Sequence, residues 1–180
     1  MDIINPAGVA ETLKTRWKKL YYTGVEQSVM EKALTEAYGE NDNSLRAAAY
    51  AGGNISRALK FAADDEFAME ADNIISLLGS MQKSSAVPGE AAKLKQDKEH
   101  VARYLDVTEI VLDMIAKYKR GLTRGGGGIA HVAQGFSYAA LGQCEYLVND
   151  CRKRLESNCA PSAVLDTLLF GLLEVKYECR

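Results

Sequence analysis

The chain has 180 residues, 47% of them apolar and 26% charged, with a formal net charge of −2. A chain of this length hides roughly two thirds of its unfolded surface and needs neither a metal nor a disulfide to fold. The near-neutral balance argues against a wholesale nucleic-acid binder, and no apolar run is long enough to cross a bilayer, since the longest, Ala163 to Val175, is broken by Asp166, Thr167 and Glu174.

Alanine, leucine, lysine and glutamate fill long windows, valine and isoleucine are scattered, and no Asn-Gly or Asp-Gly hairpin turn occurs, so the expected fold class is all-α. Residues 10–21 and 25–37 are the first expected helices, the second with Val29, Ala33 and Ala37 on one side and an end before Gly39. After the polar turn over residues 39–44, Leu45 to Ala51 forms a short helix stopped by Gly52 and Gly53. Asn54 is then placed to cap Ile55 to Ala63 by accepting a bond from an orphan amide. The expected core of this first part is Leu34, Leu45, Ala48, Ala49, Ile55, Leu59 and Ala62. The run Asp64-Asp65-Glu66 suits the first turn of another helix, where negative charge meets the positive end of the dipole, and that helix carries Phe67, Ala71, Ile74, Ile75 and Leu78 inward as far as Gly79. Residues 84–90 read as a loop. A long amphipathic helix is expected from about Ala91 to Arg120, its stripe being Leu94, Val101, Leu105, Val111 or Leu112, Ile115 and Tyr118. The segment GLTRGGGG ends it, because successive glycines lose much backbone entropy on ordering. Helical spacing resumes as one element from Ile129 to about Glu156, with Val132, Phe136, Ala140, Leu147, Cys151 and Leu155. Ala163 to Lys176 closes the chain with Val164, Leu165, Leu168, Leu169 and Leu172. Four helices after residue 65 can enclose one core as an antiparallel bundle, with a domain border near residues 63–66.

No catalytic constellation emerges. His100 and His131 fall on different expected helices without a zinc-protease spacing, which points to surface or helix-end roles. Cys144, Cys151, Cys159 and Cys179 form no CxxC pair and are expected as reduced thiols; Cys144 and Cys151, seven apart, share a helix face as small buried hydrophobes. Helical rise sets those two about 10 Å apart, too far to chelate one zinc ion. The glycines at 125–128 precede Ile129 rather than a lysine and a serine or threonine, so a connector is expected in place of a phosphate cradle. Catalytic, cofactor and metal-binding residues are therefore all expected to be none. Three basic groups are conceivable contacts for DNA: Lys117, Lys119, Arg120 and Arg124; Arg152, Lys153 and Arg154; and Arg16, Lys18 and Lys19. The first two groups also sit where cations stabilise helix C-termini, so solvent exposure is the stronger expectation. Trp17, Tyr21 and Tyr22 suit core packing of the first helix. The N-terminus carries Asp2 and no apolar stretch of the secretory kind, which leads to an expected cytoplasmic location with no membrane association.

Two segments resemble a known family. Residues 47–59, AAAYAGGNISRAL, resemble the helix, glycine turn and helix of the lid domain of AAA+ clamp-loader subunits, in which A-x-x-A-x-G-S-x-x-x-A-L is usual; Ala48, Ala51, Gly53, Ala58 and Leu59 match, and Asn54 stands where serine is common. Ala139 to Leu173 resembles the last helices of the collar domain in the delta-prime subunits of bacterial DNA polymerase III, through Arg154, Leu155, Asn158, Pro161, Leu165, Leu168 and Leu169. The resemblance implies a small helical lid over residues 1–65 and a helical-bundle collar over residues 66–180, with helix order rather than motif supporting residues 66–138. It also implies partners, the other clamp-loader subunits bound through the collar, in an assembly that places the sliding clamp on primed DNA. The sensor arginine of the hydrolysing relatives would fall at Ser56, and Arg57, one residue later, points about 100° away. The chain also shows no P-loop, Walker B strand, zinc module or Ser-Arg-Cys arginine finger, so a non-catalytic C-terminal fragment is expected. The alternatives are the same region of another AAA+ clamp-loader-related subunit and a stand-alone helical nucleic-acid-binding or adaptor protein.

Overall fold

The computed structural model describes residues 24–39, 42–81, 84–122 and 127–178. The expected helix over 10–21, with Trp17, Tyr21, Tyr22 and the basic group at 16–19, lies outside them, as do Arg124 and Cys179. The described residues are all-α: α1 (Gln27–Tyr38), α2 (Asp42–Tyr50), α3 (Ile55–Ala62), α4 (Asp65–Ser80), a 3-10 turn (Ser84–Ala86), α5 (Val87–Ala91), α6 (Lys98–Lys119), α7 (Gly127–Gln134), α8 (Tyr138–Glu156) and α9 (Pro161–Glu178). No described helix is long and apolar enough to cross a membrane.

Capping side chains set most of the starts. Asn54 accepts the Arg57 amide at 3.0 Å to open α3, and Asp64 accepts the amides of Glu66 and Phe67 at 3.1 and 3.2 Å to open α4. Two further caps divide segments whose apolar spacing reads as continuous. Asp97 accepts the His100 amide at 3.0 Å, so the long helix begins at Lys98 instead of Ala91. Ser137 accepts the Ala140 amide at 3.0 Å, so the stretch after the glycines is two helices, α7 and α8, parted at Gly135. Residues 84–90 are not a loop: Val87–Ala91 is a short helix, with Pro88 in its first turn, where a fixed φ and a missing amide cost nothing. Gly127 and Gly128 belong to the first turn of α7, where Gly128 lies so close to Ile75 that a Cβ would meet Ile75 Cγ2 at 3.1 Å.

The apolar side chains gather in two clusters. The smaller joins α1 to α3 through Met30, Leu34, Ala47, Ala48, Ala51 and Ala58. The expected stripe of Val29, Ala33 and Ala37 on α1 lies on the exposed side, and the buried positions come one residue later, because Met30 and Leu34 bring more apolar area to one side of the helix. The alanines let α2 and α3 approach closely, and the larger Leu45, Ile55 and Leu59 are turned outward at 43%, 48% and 41% exposure; of the expected core, Leu34 and Ala48 are buried and Ala49 and Ala62 half-buried. The larger cluster fills the space between α4 and α9, and includes Phe67, Ile74, Leu78, Leu105, Leu112, Ile115, Val148, Leu165, Leu168 and Leu172. Phe61 packs against both clusters and stacks on Phe67 with ring centroids 3.7 Å apart, while Tyr50 meets Phe67 edge-on at 5.5 Å.

Candidate functional site

The double glycine between α2 and α3 is where backbone chemistry dictates the local shape. Gly52 and Gly53 have φ of +60° and +90°, values that side chains other than glycine adopt at a cost. Each also faces a close neighbour. A Cβ on Gly53 would stand 2.9 Å from Gly24 Cα, and one on Gly52 would stand 2.6 Å from Lys117 Nζ of α6. The chain enters α1 through this contact, with the Val25 amide donating to Gly53 O at 2.9 Å. The turn thereby touches both the preceding chain and the long helix of the larger cluster.

Ion pairs continue this junction. Arg46 of α2 pairs with Asp72 of α4. Arg103 of α6 donates from Nε to Glu70 at 2.7 Å and from Nη2 to Asp64 at 3.0 Å, so one guanidinium holds both the cap and the second turn of α4. The two carboxylates raise the Arg103 pKa above its ordinary value, Asp64 first. Burial alone would raise the Asp64 carboxyl, but the bonds from Arg103 and the amides of Phe67 and Glu66 outweigh it and hold the group below its usual range. Tyr50, by contrast, is pushed up to about 12 by burial and then by Asp72.

On the open side of the junction lies a cleft of about 530 Å³ between α3 and α6, lined by Asn54, Ser56, Arg57, Lys60 and Phe61 on one wall and Asp106, Glu109, Ile110 and Asp113 on the other. Its acidic wall is largely neutralised from within the molecule. Arg152 of α8 donates to Asp106 at 2.8 Å and Glu109 at 2.7 Å, and Lys117 to Asp113 at 2.5 Å. Ser56 lines the cleft without a histidine or cysteine in the same lining; the ionisable groups opposite are the carboxylates of Asp106, Glu109 and Asp113. Arg57 sits exposed in the first turn of α3, next to Ser56 and across from the carboxylates of α6.

A second depression, about 300 Å³, is lined by Leu78, Gly79, His131, Val132, Gln134, Gly135, Lys176 and Tyr177. Lys176 is only 6% exposed, and its ammonium donates to the carbonyls of Leu78 at 2.6 Å and Met81 at 3.2 Å. A side chain from the end of α9 thus satisfies orphan acceptors at the end of α4, where the dipole favours a cation. Its position, 98 residues from Leu78, left no local pattern by which to find it. His131 is an exposed residue of α7, and His100 sits in the first turn of α6 with Nδ1 2.7 Å from Asp97, far along the chain from the other. The His100 side-chain contact, then its amide, holds the Asp97 carboxyl below its ordinary value.

Most of the described members of the basic groups are engaged. Lys119 donates to Ala133 O at 3.0 Å and lies over the Tyr138 ring, whose hydroxyl donates back to Lys119 O at 3.1 Å, closing the base of the glycine segment. Arg154 pairs with Asp150 at 2.6 Å, whereas Arg120 and Lys153 are exposed. Cys144 and Cys151 are buried on one face of α8 and Cys159 is exposed, all three as free thiols. Burial, then Asp150, pushes the Cys151 thiol up to about 11, which keeps it protonated and unreactive. No group of three or more His, Cys, Asp or Glu side chains among the described residues is disposed to hold a metal ion.

The join between α8 and α9 rests on Asn158, the one described non-glycine residue with a positive φ, 62°. Its amide donates to Leu155 O at 3.2 Å and the Cys159 amide to Arg154 O at 3.0 Å, the paired pattern that ends a helix on a left-handed residue. Lys98 Nζ donates to its side-chain oxygen at 3.0 Å, tying the turn to the start of α6. No family model, curated protein or solved structure matches the chain.

Proposed function

We propose that this chain is a non-catalytic assembly module of a bacterial clamp loader, corresponding to the lid and collar of a delta-prime-like subunit, and that it binds the other loader subunits through its collar. The observation that carries this reading is the build of the two resembling segments. The double glycine makes a left-handed turn between two helices, where the resembling lid segment has its glycine turn, and Asn54 caps the following helix in place of serine. In the second segment, Asn158 supplies the left-handed turn, Pro161 is the first residue of α9, and Leu165, Leu168 and Leu169 are buried. Lys117, Lys119, Arg152 and Arg154, four of the described cations in the basic groups, already have intramolecular acceptors, which makes them weaker contacts for phosphates and favours a protein partner at those positions.

The test is a pull-down of the chain with purified clamp-loader subunits at two salt concentrations, with primed DNA assayed separately. Stoichiometric entry into the subunit ring is the expected result. Absence of subunit binding together with tight, salt-sensitive DNA binding would replace this reading with the stand-alone nucleic-acid-binding one.

A further inference from the structure

The hairpin of α8 and α9 carries an aromatic face with an acidic flank. Cys151 Sγ reaches Val164 O at 3.8 Å, and a Cβ on Gly171 would meet Leu147 Cδ2 at 2.5 Å. Contacts therefore run down α8 as they run up α9, and the two helices are antiparallel. At the Leu147–Gly171 contact, each preceding residue lies 100° back around its own helix, and in an antiparallel pair those two rotations lead to the same side. The preceding residues are Tyr146 and Phe170, which are 75% and 41% exposed. They stand at one level on one face of the hairpin.

The surroundings of the two rings define what fits there. On α8, Gly142 lies one turn before Tyr146 in the same stripe, and no atom lies within 4 Å of where its Cβ would be, so the floor beside the tyrosine is open. On α9, Asp166 and Glu174 stand one turn to either side of Phe170, exposed, with no ion-pair partner among the described residues. No cation of α9 shares their face, since Lys176 is drawn inward onto α4. On the α8 side the exposed Lys153 lies seven residues from Tyr146, about 10 Å along the axis toward the turn.

We infer that the Tyr146/Phe170 face is a docking surface for a basic amphipathic helix of another polypeptide, with lysines or arginines about two turns apart to meet Asp166 and Glu174. The two carboxylates are about 12 Å apart along α9, which matches cations seven or eight residues apart on a helix lying alongside. Exposed aromatic rings with small neighbours supply the apolar centre, and the carboxylates fix register and favour a cationic partner. The same carboxylates repel nucleic acid, and a second copy docked face to face across a two-fold axis would bring like charges together. Using clamp-loader subunits as one probe rests on the assembly reading; the chemistry of the face does not.

The experiment compares the wild-type chain with two double variants, Tyr146→Ala/Phe170→Ala and Asp166→Lys/Glu174→Lys, each checked for unchanged far-UV circular dichroism and melting. One probe is the set of purified clamp-loader subunits. The other is a synthetic amphipathic helical peptide with lysines two turns apart, alongside the same peptide with glutamates in their place. Binding to the lysine peptide that falls at least about tenfold in both variants, with the charge-reversed variant gaining the glutamate peptide, is the expected result. If the subunits bind as well, both readings stand; if only the peptide binds, the face stands and the assembly reading falls. Subunits that accept all three proteins equally, with no peptide binding, would overturn the face and leave the assembly reading. Failure of every probe to bind wild type would remove both, and wild-type self-association lost in the variants would assign the face to a second copy instead.

Discussion

Gly53 is constrained twice, by a φ of +90° and by Gly24 Cα lying 2.9 Å from where its Cβ would stand. A Gly53→Val substitution introduces a β-branched side chain into both restrictions and is expected to destabilise the protein by about 2 kcal/mol or more, read as a lower urea midpoint. An unchanged midpoint would mean that the turn relaxes to another conformation. Lys176 is a comparable case in which one side chain serves a distant element. Lys176→Met keeps most of the apolar stem but leaves the carbonyls of Leu78 and Met81 without their donor, for an expected loss of about 1–3 kcal/mol in thermal or urea unfolding. A variant as stable as wild type would show that water or another donor replaces the ammonium without cost.

Individual helices differ in how openly the sequence announces them. In α9, every leucine expected inward is buried, because Leu165, Leu168, Leu169 and Leu172 repeat at spacings of three and four along one face. Leu168 is 0% exposed, so Leu168→Ala is expected to cost about 2–5 kcal/mol, and a change below about 0.5 kcal/mol would place it outside the core. The starts of α3 and α4 were equally legible, since Asn54 follows two glycines and Asp64 opens an acidic run. The starts of α6 and α8 were not. Asp97 and Ser137 interrupt apolar stripes that stay in phase across the break, so periodicity alone joins what a single side-chain bond separates. In α1 to α3 the burial pattern was obscured by alanine. Four buried alanines permit a close approach that forces Leu45, Ile55 and Leu59 outward, an outcome decided by interhelical distance rather than by hydrophobicity. The cleft between α3 and α6, the Lys176 cap and the Tyr146/Phe170 face escaped sequence reasoning for a shared reason, each being made by residues brought together only by tertiary packing.

Across the whole molecule, two apolar clusters are coupled through a narrow junction in which aromatic stacking supplies contact area and arginines supply direction. Phe61, packed against both clusters, stacks on Phe67, Tyr50 of α2 meets the same ring as part of the larger cluster, and Arg103 grips Asp64 and Glu70 at the start of α4. Because the Arg103 pKa is raised further, its charge persists at every accessible pH and the carboxylates alone titrate. Asp64 has a folded pKa below its unfolded one, so its ionic contribution is fully present above the unfolded value, about 3.9, and is lost as pH falls through the folded value. An Asp64→Asn variant separates this charge from the cap, since asparagine caps a helix about as well as aspartate. At pH 7 the variant is expected to be less stable than wild type by on the order of 0.5 kcal/mol, a small figure because the pair is about a third exposed and screened by solvent. Urea unfolding at descending pH should show that gap begin to narrow below about pH 4, where the unfolded carboxyl protonates, and close once the pH has passed the lower folded value and Asp64 is neutral in both states. A gap that stays constant down to pH 2 would assign the difference to the cap geometry rather than to the pairing with Arg103, and would leave the Arg103–Glu70 pair and the apolar contacts to hold the α4–α6 junction.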